Sequence, residues 1–232
     1  MINRIKDKIK SCREKSFAEK AAHKEWWDSL DKKAKAKAIL RETIETIVFV
    51  VVMVIVIRFF IAEIRWIPSG SMKPTLIEGD RIVVERYSRF YKVPQRGEVL
   101  VFYPPFEELK NTPWKLFARL TGFFCKDIAY IKRVVGVPGD KVEIKPNTDG
   151  KYTVYINEEA FEEPYIKDAY DYTPCTEEMY CGPLEIPAGQ YLMLGDNRGN
   201  SQDGRYWGLL PENRFIGRAV FLFWPVNRMK KL

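Results

Sequence analysis

Two serines spaced two apart, Ser69 and Ser71, sit in the stretch Pro68–Leu76, PSGSMKPTL. Pro68 and Pro74 fix their own φ and push the preceding residues towards extended geometry. Gly70 permits a tight approach or a positive φ. The hydroxyls are therefore held on a stiff, irregular segment. Held hydroxyls suit a serine nucleophile; the same composition also suits an ordinary linker. A serine hydroxyl is a poor nucleophile at neutral pH and needs a base. The one histidine, His23, lies in the N-terminal tail, so a Ser-His-Asp triad has no histidine to draw on between residues 24 and 232. Carboxylates and lysine remain as bases.

A lysine acts as a base only when its amine is neutral, which requires burial to lower its pKa. Lys132 lies in the apolar run Tyr130–Val137, YIKRVVGV. Strand alternation puts Tyr130, Lys132 and Val134 on one face and Ile131, Arg133 and Val135 on the other. Either face can be the buried one, and a surface strand lysine is the other reading. A polar, glycine-rich segment, Gly195–Gly208 (GDNRGNSQDGRYWG), follows later. Within it Asp203 and Arg205 can pair, while Asn197, Arg198, Asn200 and Ser201 can bond backbone. Such a loop either buttresses a site or is a plain turn network. It is not a calcium loop, because Arg198 occupies a position where that pattern needs an acid or amide. Zinc sites of the usual kinds are excluded too: the domain lacks histidine, and Cys12, Cys125, Cys175 and Cys181 have no C-x-x-C spacing. No metal or cofactor is expected.

The elements that position these residues follow from composition. The 232-residue chain has net charge +7. Residues 1–43 hold 13 Lys/Arg against 7 Asp/Glu, which leaves 25 against 24 for the rest (38 less 13, 31 less 7). The basicity belongs to the tail, which argues against a nucleic-acid-binding domain. The tail has no Gly or Pro and reads as helix, either solvated or lying on anionic lipid headgroups. Residues 44–62 form the candidate transmembrane helix, with Arg58 reaching the far interface. A buried core helix is the alternative. The basic excess before the span puts residues 1–43 in the cytoplasm and 63–232 outside.

Beyond the span the texture is β. Arg81–Glu85, Glu98–Tyr103, Tyr130–Val137, Lys141–Lys145, Tyr152–Ile156, Gln190–Leu194 and Phe215–Phe223 are short strands bounded by Gly/Pro turns. The expected fold is mostly β, an antiparallel coiled or barrel-like domain over 63–232 with an insert at about 147–187. Trp114–Phe124 reads as an amphipathic element dipping into the bilayer face, or as a helix capping the core. Cys175 and Cys181 can pair across the insert if the domain lies outside the cytoplasm; free buried thiols are the other reading.

Four blocks, PSGSMKPTL, Arg96–Pro105 (RGEVLVFYPP), Ala129–Val142 (AYIKRVVGVPGDKV) and Gly195–Gly208, follow a membrane segment in that order. Together they resemble bacterial type I signal peptidases, the Ser-Lys dyad endopeptidases that remove signal peptides. The resemblance covers roughly Ile44–Trp207 and implies an all-β catalytic domain. It implies Ser71 as nucleophile and Lys132 as general base. It implies an oxyanion hole from the Ser69 hydroxyl and the Ser71 N–H, with Ser201 orienting the lysine amine and Asp203–Arg205 as a structural ion pair. Ile67, Pro68, Met72, Leu76 and Ile131 fall where the family lines its small apolar pockets, which select small residues one and three positions before the cut. The implied partners are precursor proteins carrying signal peptides, membrane lipid and the protein-export machinery, and the implied state is a single-pass monomer of the bacterial cytoplasmic membrane with its catalytic domain on the outer face. Two positions depart from the common GDNRDNSxDSR pattern: Gly199 replaces an acid and Gly204 a serine. Without the resemblance, a membrane-anchored β-domain that binds lipid or an exported protein, or an intracellular self-cleaving Ser-Lys protease, would also fit.

Overall fold

The computed structural model describes residues 20–22, 24–57, 62–109, 112–121, 128–167 and 171–232. Cys12, His23, Arg58 and Cys125 lie outside the described residues. The chain divides into two units, Met1–Val54 and Ile55–Leu232.

In the first unit the dominant element is helix α1 (Lys32–Val56). Asp31 starts it: its carboxylate accepts from the Ala34 N–H at 2.7 Å, the N-capping role its side chain suits. The helix has no buried residue, and from Ile44 onward apolar side chains are exposed on every side. Arg41 and Glu45, which pair at 2.7 Å, stand with Glu42 beside the apolar run. Among the described residues no helix is long and apolar enough to cross a membrane. The expected span 44–62 is corrected at its far end. Residues 58–61 lie outside the described residues, and Ala62 opens strand β1 (Ala62–Trp66), whose backbone pairs with β2 (Arg81–Glu85) from Ala62↔Glu85 to Trp66↔Arg81.

The second unit is built from antiparallel strands. Those of the larger sheet are β1, β2, β3 (Val99–Phe102), β4 (Tyr130–Gly136), β9 (Gln190–Leu194), β10 (Leu210–Pro211), β11 (Phe215–Trp224) and β12 (Lys230–Lys231). Their order is β1-β2-β11-β3-β4-β9-β10, with β12 also on β11. Register shifts interrupt β11 between Phe215/Gly217, Ala219/Phe221 and Leu222/Trp224, and β4 between Val134 and Gly136. Each shift bends its strand, so the sheet curls as the β reading expected. The insert forms a second sheet from β5 (Lys141–Pro146), β6 (Tyr152–Ile156), β7 (Glu159–Ala160) and β8 (Leu184–Glu185), in the order β7-β6-β5-β8. Cys175 and Cys181 are joined by a disulfide, so the free-thiol reading falls.

Strand β3 is buried on both faces, which is why its sequence VLVF runs apolar without alternation. Val99 and Val101 enter one core cluster with Ile67, Met72 and Leu76; Leu100 and Phe102 enter another with Val134 and Met193. Between the two clusters the neighbouring strand β4 is buried from Lys132 to Gly136. Helix α2 (Pro113–Thr121) carries Trp114, Leu116 and Phe117 outward while Ala118 is buried. The remainder of the Trp114–Phe124 element lies outside the described residues.

Where β11 crosses β2, Gly217 lies so close to the backbone carbonyl of Glu85 that a Cβ there would collide with it. Gly217→Ala should cost about 1–3 kcal/mol of stability, the range for overpacking. It should lower the urea midpoint at unchanged m-value. An unchanged midpoint would mean the two strands are not packed this closely.

Candidate active site

The stretch that reads as a stiff loop is a short 3-10 turn, Gly70–Met72, between extended residues Ser69 and Lys73. Met72 and Leu76 are fully buried and nail the turn to the core on one side, while the Leu76 N–H donates to the Met72 carbonyl at 2.9 Å. Ser71 lies in the first turn, where N–H groups have no partner within a helix. From the other side Asn197 grips the same turn twice. Its backbone N–H donates to the Ser71 carbonyl and its side-chain amide to the Gly70 carbonyl, both at 3.0 Å. The hydroxyl of Ser71 is thus aimed by contacts on both flanks of the turn.

Lys132 comes from β4, paired opposite Leu100. Alternation places it on the face of Tyr130 and Val134, and it is only 4% exposed. Its Nζ lies 2.7 Å from Ser71 Oγ. Burial lowers its pKa to about 8; Asp203 and Asp196 pull it back up, and Arg205 pushes it down. Desolvation therefore outweighs the net effect of these neighbours, and the amine loses its proton around pH 8, well below the ordinary lysine range. Ser69 Oγ stands 3.5 Å from Ser71 Oγ on the open side of the turn.

Behind the lysine stands the glycine-rich loop. Asp203 and Arg205, both buried, pair at 2.9 and 3.0 Å, as expected. Asp203 also caps helix α3 (Gly204–Trp207) and accepts the Gly195 N–H at 3.0 Å. Gly195 is required by close approach: a Cβ there would collide with the Ser201 hydroxyl and lie 2.5 Å from the Ser71 carbonyl oxygen. Ser201 is buried, but among the described residues its hydroxyl makes no hydrogen bond, so the expected contact to the lysine amine is not formed.

A cavity of about 340 Å³ opens over this pair, lined by Pro68, Ser69, Ser71, Ile131 and Lys132 together with Ile128, Ala129, Tyr130 and Gln202. Of the five expected pocket residues, Pro68 and Ile131 line it. Ile67, Met72 and Leu76 are corrected: they belong to the core cluster against which Ile131 packs. Their burial, rather than substrate contact, accounts for their apolar character. Sequence reasoning missed Gln202 and the two ion pairs that fix the surrounding loops. Arg133 binds Asp196 at 2.6 and 2.8 Å, and Arg198 binds Glu163 at 2.5 and 2.6 Å. The partners lie 63 and 35 residues apart, so no local spacing announces them. The one available signal is an arginine, Arg133, in an apolar strand either face of which can be the buried one.

Residues 40–224 match the family described as signal peptidase, peptidase S26. The signal peptidase I of Leptolyngbya laminosa is 43% identical over 198 residues, 85% of this chain and 86% of that protein. Two probable signal peptidases of Synechocystis, I-2 and I-1, are 40% identical over 187 residues (80% and 73% of the two chains) and 37% over 193 residues (83% and 87%). Likeness of this extent along most of the chain, over a curled antiparallel sheet, defines a serine peptidase. The chain belongs to the signal peptidase family, peptidase S26.

Removing the Asp203 carboxylate would leave Arg205 buried and unpaired. Asp203→Ala should destabilise the folded chain by about 3–5 kcal/mol, the cost of breaking a buried ion pair from one side. Thermal or urea unfolding reads this directly. A loss below about 1 kcal/mol, the value of an exposed pair, would show that the pair is solvated.

Proposed function

We propose that the protein removes N-terminal signal peptides from exported precursors as a membrane-anchored serine endopeptidase. The observation that carries this reading is the 2.7 Å contact between Ser71 Oγ and the amine of a lysine buried enough to be neutral near pH 8. Neutral Lys132 accepts the Ser71 proton as Oγ attacks the carbonyl carbon at the end of the signal peptide. The carbonyl oxygen becomes an oxyanion, stabilised by the Ser71 N–H and the Ser69 hydroxyl, a donor effect worth about 3–4 kcal/mol each at most. The C–N bond then breaks, and the leaving amine takes the proton from Lys132. Water enters, gives a proton to Lys132 and attacks the Ser71 ester carbonyl; as the bond from that carbon to Oγ breaks, Lys132 passes the proton to Oγ, which releases the signal peptide and restores both the serine and the neutral amine.

The cavity supports the specificity. Its walls at Pro68, Ala129 and Ile131 are apolar, which suits small residues such as alanine one and three positions before the cut. The apolar run that starts at Ile44 and ends before β1 serves as the anchor, with the basic tail in the cytoplasm and the catalytic domain on the outer face of the bacterial cytoplasmic membrane. The exposed apolar surface of α1 and the exposed Trp66, Trp114 and Phe117 support contact with lipid. The disulfide suits an oxidising compartment. The enzyme works as a monomer, meeting precursors delivered by the export machinery in one membrane plane.

Presented with a secretory precursor in detergent, the wild type should cut while Ser71→Ala and Lys132→Ala do not. Equal cutting by all three would defeat the dyad. The sign of the pH dependence is fixed by the base. The protonated amine is inactive, so kcat/KM should rise with pH as Lys132 loses its proton, with its midpoint near the pKa of about 8. An acid limb near 10.5, the ordinary lysine value, would mean that the amine is hydrated.

A further inference from the structure

The insert between β6 and β9 does more than decorate the domain. We infer that Glu163 is a positioning residue for the Ser71–Lys132 pair, acting through Arg198; the inference rests on the dyad reading above. Glu163 lies in a segment without regular structure, yet its side chain is only 6% exposed. Its two carboxylate oxygens take four hydrogen bonds. Arg198 donates two, at 2.5 and 2.6 Å, and the hydroxyls of Tyr165 and Tyr172 donate one each, at 2.7 Å. Both tyrosines also stack on arginines of the site: Tyr172 on Arg198 at 4.6 Å, and Tyr165 on Arg133 at 3.9 Å.

The chain of contact from Glu163 to the nucleophile is short. Arg198 is wholly buried, and its Nε–H donates to the Gly195 carbonyl at 2.8 Å. Gly195 is the residue pressed against the Ser71 carbonyl and the Ser201 hydroxyl. The Arg198 carbonyl in turn accepts from Arg205 at 2.8 Å, and Arg205 holds Asp203. Asp203, Asp196 and Arg205 are the charges that act on the Lys132 amine. Arg198 therefore joins the wall behind the nucleophile to the wall behind the base, and Glu163 holds Arg198.

Gly199 fits the same device. A Cβ there would stand 3.2 Å from the Asp171 carbonyl oxygen and 3.8 Å from Thr173. The acid that the common family pattern carries at this position would meet the insert's backbone. Glycine lets the insert seat on the loop, and Glu163 supplies from the insert a carboxylate for Arg198.

The test uses the full chain in detergent with a secretory precursor, comparing wild type, Ser71→Ala, Glu163→Gln and Val154→Ala. Val154 is buried in the cluster that packs the second sheet against Val135, Leu192 and Leu194, so Val154→Ala weakens the seat of the insert without removing a partner of Arg198. Glu163→Gln should lower kcat about tenfold to a hundredfold, the scale of a displaced catalytic group, with KM little changed. It should also move the acid limb of the pH profile upward, as water reaches a loosened Lys132. Val154→Ala should keep the wild-type kcat and limb below its own Tm, whatever its loss of stability. The inference is overturned if Glu163→Gln keeps the wild-type kcat and limb, or loses no more kcat than Val154→Ala. If Glu163→Gln does not fold, Tyr172→Phe decides, since it removes one hydrogen bond and leaves the ring. A lowered kcat with a raised limb supports the device, and wild-type values overturn it. Cutting by Ser71→Ala at the wild-type rate would instead defeat the dyad reading itself, and is seen separately.

Discussion

Taking one ammonium group out of water is the constraint around which this domain is arranged. Lys132 sits on a strand with cores on both sides, and burial lowers its pKa to about 8 although two carboxylates, Asp203 and Asp196, act to raise it. Desolvating a charge is costly unless the group neutralises. In the proposed mechanism the neutral form is the useful one, and the neighbour of the amine at 2.7 Å is the Ser71 hydroxyl. The sheet order β11-β3-β4-β9 buries the lysine, and the 3-10 turn beside it presents the serine.

Keeping those two carboxylates from holding the lysine as a cation requires that each have a closer partner. Asp196 is held by Arg133, and Asp203 by Arg205 and the Gly195 N–H. Both carboxylates are fully buried, so their ion pairs are short and charge-assisted. Such pairs add little net stability compared with an apolar core, but losing one partner is severe. Their contribution here is geometric and electrostatic. They fix the Gly195–Gly208 loop against the Ser71 turn and leave the lysine without a salt-bridge partner among the described residues.

Much of this was legible in the sequence. Arg81–Glu85, Tyr152–Ile156 and Gln190–Leu194 are strands at the expected residues, because each is a β-branched or aromatic run between turn residues. The lack of histidine after residue 23 leaves lysine and carboxylates as bases, but it is the resemblance of the four blocks that assigns roles to Ser71 and Lys132. Strands β7, β8, β10 and β12 are not legible in the sequence, since two residues carry no period. Strand β1 was assigned partly to the membrane span because Ala62 continues an apolar run; pairing with β2, a tertiary effect, sets it as strand. The pocket residues Ile67, Met72 and Leu76 show the limit of reading apolar positions near a nucleophile. An apolar residue there can line the cleft or support it, and only the turn geometry of Gly70–Met72 separates the two. The glycines at 199 and 204 read as departures, yet both are packing positions: a Cβ at 204 would lie 2.8 Å from Leu192 and 3.0 Å from the Met193 carbonyl.

The central claim concerns the protonation of one amine in the resting protein, and it can be read without any substrate. Lysine labelled with 13C at Cε in the full chain gives a signal for Lys132, assigned by its loss in Lys132→Met. Followed from pH 6 to 11, that signal should titrate with a midpoint near the value of about 8 that burial imposes. A midpoint near 10.5, with Ser71 unmodified, would contradict the account, because the lysine would then be a hydrated cation at neutral pH and no base for Ser71.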